Sequence, residues 1–181
     1  DGTDFAFWSY APQSLFTPAS FTKDGYSLTG YTVPTTVTSQ QDLLLAYTKM
    51  NSGNGGTPVD VKFAHALSVV RFKLNLEGCS LKSASVSKVS SKGDLTVGKN
   101  DDGEVSISWD NLSTPTTFSQ EFAETDFTDG LQSQSGNKLF FMIPQKSADE
   151  SKVKISITIE KADLSTETKS AELDVDWQAG K

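Results

Sequence analysis

Val153, Ile155, Ile157 and Ile159 alternate without a break with Lys154, Ser156, Thr158 and Glu160. A repeat of two is the side-chain period of a β-strand, and it rules out a helix over these residues. A second run follows, in which Ala171, Leu173, Val175 and Trp177 alternate with Glu172, Asp174 and Asp176. Each run predicts a strand with one buried and one solvated face, and the two predict a hairpin with a long loop around Ala162–Thr168. Further strands are predicted at Phe5–Tyr10, Tyr26–Thr29, Tyr31–Val33, Ala84–Val89, Leu95–Val97, Val105–Trp109 and Leu139–Ile143. Lys99-Asn100-Asp101-Asp102-Gly103 supplies the turn chemistry of a hairpin between two of them. Many short strands broken by turn residues point to an all-β, antiparallel β-sandwich.

Three stretches are harder to read. From Val59 to Leu76 the apolar positions are odd up to Val69 and even from Val70. One strand with a β-bulge at Val69–Val70 reconciles the two phases, because a one-residue slip turns every later side chain to the other face. Ser39–Thr48 fits either a buried strand or a short helix. Leu112 to Asn137 is polar with scattered phenylalanines and predicts a long surface excursion. Asn51-Ser52-Gly53-Asn54-Gly55-Gly56-Thr57-Pro58 cannot lie inside a regular element. It either joins two domains or forms a loop within one.

Composition narrows the function classes. With 181 residues the chain can bury a core without disulfides or a metal. No apolar run approaches the roughly 20 residues of a membrane-spanning helix. The net charge is -7 and arginine occurs once, at Arg71. This is opposite to the clustered cations that bind nucleic acid, and it disfavours anionic membranes. Cys79 is the single cysteine, so no internal disulfide forms. That fits a cytosolic protein, or an exported one built without disulfides. The chain opens at Asp1 with no initiator methionine or signal peptide, and reads as a processed or trimmed piece.

Chemistry-bearing residues are scarce. His65, the one histidine, falls on the odd, inward-facing phase. It reads as a structural imidazole held by a hydrogen bond beneath a loop rather than as a general base or metal ligand. Cys79 sits in a turn with no histidine near it in sequence, and no Gly-x-Ser-x-Gly elbow occurs. Acidic residues lie at solvent positions or in turns, without the pairing of a glycosidase. Asn100-Asp101-Asp102-Gly103-Glu104 lacks the full spacing of a calcium loop. No catalytic residue, cofactor site or metal site is therefore expected. Trp8, Tyr10, Tyr26 and Tyr31 could form an aromatic platform that stacks sugars, with Trp8, Tyr10 and Tyr31 as the candidate ligand-binding residues, or all four could belong to the sandwich core.

Five ordered segments together resemble the fimbrillin-like family of Bacteroidales surface (type V) pili. They are Phe7-Trp8-Ser9-Tyr10-Ala11-Pro12, Gln41-Asp42-Leu43-Leu44-Leu45-Ala46, Val61-Lys62-Phe63-Ala64-His65-Ala66-Leu67-Ser68, Phe141-Met142-Ile143-Pro144-Gln145 and Trp177-Gln178-Ala179-Gly180-Lys181. The resemblance implies transthyretin-like β-sandwich domains, export as a lipoprotein to the outer membrane, and assembly into fimbriae at the cell surface. It also implies His65 as a structural residue, a longer chain before Phe7 and a final strand after Lys181. Residues 1–50 are then expected to be the remaining part of an N-terminal β domain, 51–58 a linker, and 59–181 a C-terminal sandwich lacking its last strand. The function expected is a structural fimbrial subunit or tip adhesin, partnered by neighbouring subunits through strand exchange and by a surface glycan or protein. The alternative is a carbohydrate-binding module using the exposed aromatics. A divergent hydrolase would need two converging carboxylates that no spacing supplies.

Overall fold

The computed structural model describes residues 4–15, 20–54, 56–76, 78–123, 131–133, 139–147 and 151–181. The strands are β1 (Asp4–Ala11), β2 (Ser20–Thr22), β3 (Gly25–Thr32), β4 (Leu44–Asn51), β5 (Ala64–His65), β6 (Ser68–Val70) and β7 (Lys73–Asn75). They continue with β8 (Cys79–Lys99), β9 (Val105–Glu121), β10 (Leu131–Ser133), β11 (Phe140–Met142), β12 (Val153–Lys161) and β13 (Thr166–Leu173). All ladders between them are antiparallel, and the sheets pack as a sandwich-like all-β fold.

The spine is β8. Its first half, Cys79 to Ser87, pairs with β12, and its second half, Lys92 to Val97, pairs with β3. On its other flank it pairs with β9 over nearly its whole length. A straight strand of 21 residues could not face one core throughout. β8 manages it by changing phase: Leu81 is buried, then Ala84 and Val86, then Val89, Ser91, Leu95 and Val97. Each change of parity coincides with a slip in register. One lies opposite Thr158/Ile159 of β12 and the other between Ser87 and Val89, where Lys88 takes φ 63°. An extra residue restores the inward direction and bends the strand.

A third slip, between Lys92 and Asp94, sets Asn111 and Leu112 of β9 opposite Gly93. A Cβ on Gly93 would stand 2.7 Å from the end of the Leu112 side chain and 3.3 Å from the Asp110 carbonyl, so a larger residue there would have to push Leu112 aside. Asp94 staples this region. Its Oδ1 accepts the Gly30 N–H of β3 at 2.7 Å and its Oδ2 accepts the Asn111 amide of β9 at 2.8 Å.

The core joins residues from both sides of the 51–58 segment. Tyr26, Tyr31, Val33, Leu43 and Leu45 pack in one cluster with Leu67, Leu81, Val86, Phe118, Phe140 and Ile143.

Several expectations change. Val59–Leu76 is not one bulged strand. It is broken into β5, β6 and β7, which pair respectively with β4, β11 and β10. The bulge device exists, but in β8. The even phase after Val70 holds, with Phe72 and Leu76 buried, whereas Val61 and Phe63 on the odd phase are exposed. β9 continues to Glu121, so the first part of the expected excursion is strand; residues 124–130 and 134–138 lie outside the described residues. The two strands expected at Tyr26–Thr29 and Tyr31–Val33 are one, β3, with a register shift between Leu28 and Tyr31. The ambiguous Ser39–Thr48 stretch ends in a strand, β4.

The C-terminal hairpin is tighter than expected, since β13 already begins at Thr166. Its alternation also misleads: Ala171 and Leu173 are exposed on an edge strand, while Val175 and Trp177 reach the core from beyond its end. The Lys99–Gly103 turn is a hairpin connection. Asn100 accepts the Glu104 N–H through its side chain at 2.8 Å and the Gly103 N–H through its carbonyl at 3.0 Å.

Candidate functional site

Strand β1 is apolar on both faces, Phe5 and Phe7 alternating with Trp8 and Tyr10. It pairs with β4 in the register Trp8 to Tyr47 and Tyr10 to Leu45. On that face Trp8 meets Tyr47 with ring centroids 4.5 Å apart and Tyr26 edge-on at 5.6 Å. Tyr10 stacks on Phe21 at 6.2 Å and leans on Tyr26 at 6.5 Å. Trp8 and Tyr10 are thus together and half-buried. Tyr31 is elsewhere, only 7% exposed and packed on Trp109 at 5.6 Å. The three rings expected as a platform share no open face. Burial pushes the Tyr26 phenol up, and pushes that of Tyr31 up to about 12, helped there by the nearby Asp42 charge.

The opposite face of β1 is the one left open. Phe5 and Phe7 are 47% and 42% exposed. Among the described residues β1 pairs only with β4, so its outer edge has no strand beside it. The signal was in the sequence: a strand apolar on both faces is buried on both or awaits a cover.

The five motif segments converge in space. The β4 segment Leu44–Ala46 pairs with β1 on one side, and Leu44 and Leu45 pair with β5 on the other. His65 is exposed, not inward: β5 is short and its odd face looks out. Its Nδ1 is hydrogen-bonded to Asp42 Oδ2, and the other Asp42 oxygen accepts the Leu43 N–H at 2.8 Å. The imidazole is held as expected, but on the surface rather than beneath a loop.

The chain end lies against Leu67–Val69. Gly180 N–H donates to the Leu67 carbonyl at 3.0 Å, Val69 N–H to that of Lys181 at 2.9 Å, and Ser68 Oγ to that of Gln178 at 2.7 Å. Phe141 and Met142 pair with Val69 and Ser68, and the Gln145 carbonyl accepts the Trp177 N–H at 2.9 Å. The Gln145 side chain grips β8 by accepting the Ser90 N–H at 2.9 Å and donating to the Ser90 carbonyl at 3.2 Å. These motifs carry architecture.

The arrangement gives little to catalysis. A histidine oriented by a carboxylate needs a nucleophile on its far side. The cleft beside His65, about 410 Å³, is lined also by Ala64, Val105, Ile107, Ala179 and Gly180, none of which bears a hydroxyl or thiol. Among the described residues no three acidic, histidine or cysteine side chains gather as metal ligands, and no helix is long and apolar enough to cross a membrane.

A family model described as fimbrillin-like matches residues 1–181, the whole chain. No curated protein and no solved structure matches it. The five convergent motifs and the full-length match agree, and the chain belongs to the fimbrillin-like family, whose members are structural, non-enzymatic fimbrial proteins of the cell surface.

Proposed function

We propose that the chain is a structural subunit or tip adhesin of a fimbrium, exported as an outer-membrane lipoprotein and joined to its neighbours by β-strand exchange. The observation that carries this reading is β1: among the described residues β4 is the one strand laddered to it, and its outward face presents Phe5 and Phe7 to solvent. Unpaired backbone groups beside an apolar surface are what an added strand satisfies, the ladder supplying affinity and alternate side chains supplying specificity. The family supports a role in pilus assembly.

A synthetic extended peptide with alternating apolar residues tests the mechanism. Its addition should raise the thermal midpoint, by up to about 2.7 kcal/mol of stabilisation at a hundredfold excess over Kd. It should also protect the β1 amides from hydrogen exchange. A peptide interrupted by proline should do neither. An unchanged midpoint with unprotected β1 amides, or equal binding by a Phe5→Ser/Phe7→Ser variant, would count against strand addition at this edge.

A further inference from the structure

Away from the outer edge of β1, a cleft of about 420 Å³ opens between β4 and the β8–β9 hairpin. That volume falls within the roughly 300–1,000 Å³ of small-molecule sites. Its walls are fixed by bonds already in place. On one side Thr48 Oγ1 donates to the Asp60 carbonyl at 3.1 Å, holding the segment before β5 against β4. On the other, the Asn100 bonds described above shape the turn that presents Glu104 and Val105.

The lining has a definite chemistry. Phe63, 46% exposed, supplies an aromatic ring with an open surface. Tyr47 lines the same cleft, its own ring already engaged by Trp8 and by Lys99, whose Nζ lies 5.8 Å from the centroid. Asp60, Lys62 and Glu104 complete the polar lining. Counting Lys99, which sits over the Tyr47 ring rather than in the lining itself, two carboxylates stand against two ammonium groups, so this neighbourhood is balanced in a chain of net charge -7. An anionic ligand would meet the carboxylates and a cationic one the lysines. A neutral ligand with both an apolar face and several hydroxyls meets a partner for each part: C–H groups on the ring, hydroxyl donors to the carboxylates, hydroxyl acceptors to the lysines.

The geometry points to a binding site for a neutral saccharide of one or two pyranose rings, stacked on Phe63 and hydrogen-bonded by Asp60, Lys62 and Glu104. This site uses none of Trp8, Tyr10 and Tyr31, and it does not depend on strand exchange.

The probes are the neutral methyl glycosides of glucose, mannose, galactose and N-acetylglucosamine, titrated at millimolar concentration and followed by amide chemical shifts. At least one should shift the resonances of Tyr47, Lys62–Ala64 and Gly103–Val105 together, with glucuronate binding more weakly. Phe63→Ala should weaken that binding roughly three- to tenfold through the lost stacking, and Glu104→Gln should weaken it as well. Both side chains are exposed, and circular dichroism checks that the sheet content is kept. If no glycoside shifts these amides, if the shifts map elsewhere, or if both variants bind like the parent, the assignment is wrong. Assembly through β1 can succeed or fail independently, since no residue of that strand lines the cleft.

Discussion

Tyr31 shows how one side chain's surroundings become a property of the whole protein. Its phenol is pushed up to about 12 by burial first and by the Asp42 charge second. In the unfolded chain a tyrosine ionises near ~10. The folded state therefore holds its proton where the unfolded state releases it. The contribution is complete below about pH 10 and is lost as pH rises through about 12, amounting to roughly 2–3 kcal/mol at most. Tyr31→Phe should accordingly lose less thermal stability than the parent between about pH 8 and pH 11; calorimetry at the two values measures it, and an identical drop in both proteins would refute the assignment. Tyr26 acts in the same direction. The sequence marked both as core or platform, since an aromatic ring serves either; which one follows from neighbours such as Trp109, 78 residues away in the chain, and could not be read locally.

At the scale of elements, β8 explains the main errors of reading. Its apolar positions shift parity twice, so a strict search for alternation finds only fragments such as Ala84–Val89 and Leu95–Val97. The bulges that reconcile them are set by the partner strands β12 and β9. Asp94, stapling β3 and β9 across this strand, is held below the ordinary carboxylate range by the Asn111 amide first and the Gly30 N–H second. Its stabilising effect is thus full above the ordinary carboxylate value and fades as pH falls through the lowered one. Asp94→Ala should melt below the parent at neutral pH, with the gap narrowing as pH falls below the ordinary carboxylate range. A gap of constant size across that range would show that the charge-assisted bonds are not the cause.

For the whole molecule, the 51–58 segment poses the remaining organisational question. Strands on both sides of it share a sheet through β3 and β8, and residues on both sides share one hydrophobic cluster. Such coupling leaves neither side a separate core to melt alone. Scanning calorimetry should therefore give one transition whose calorimetric and van't Hoff enthalpies agree. Two resolved transitions would instead support a boundary at 51–58, with 1–50 and 59–181 as separate units.

The sequence by itself determined the all-β class, the turn at Lys99–Gly103 and the family, through period-two alternation, turn residues and five ordered motifs. Each of these is local, fixed by residues within a few positions of one another. What only the tertiary structure decided was pairing and exposure. His65 and Phe63 have inward parity yet lie at the surface, because β5 spans just two residues. Ala171 and Leu173 alternate like a half-buried strand yet sit on an open edge. Burial depends on what packs against a face, which for β1 leaves Phe5 and Phe7 uncovered and Trp8 and Tyr10 half-buried against the core.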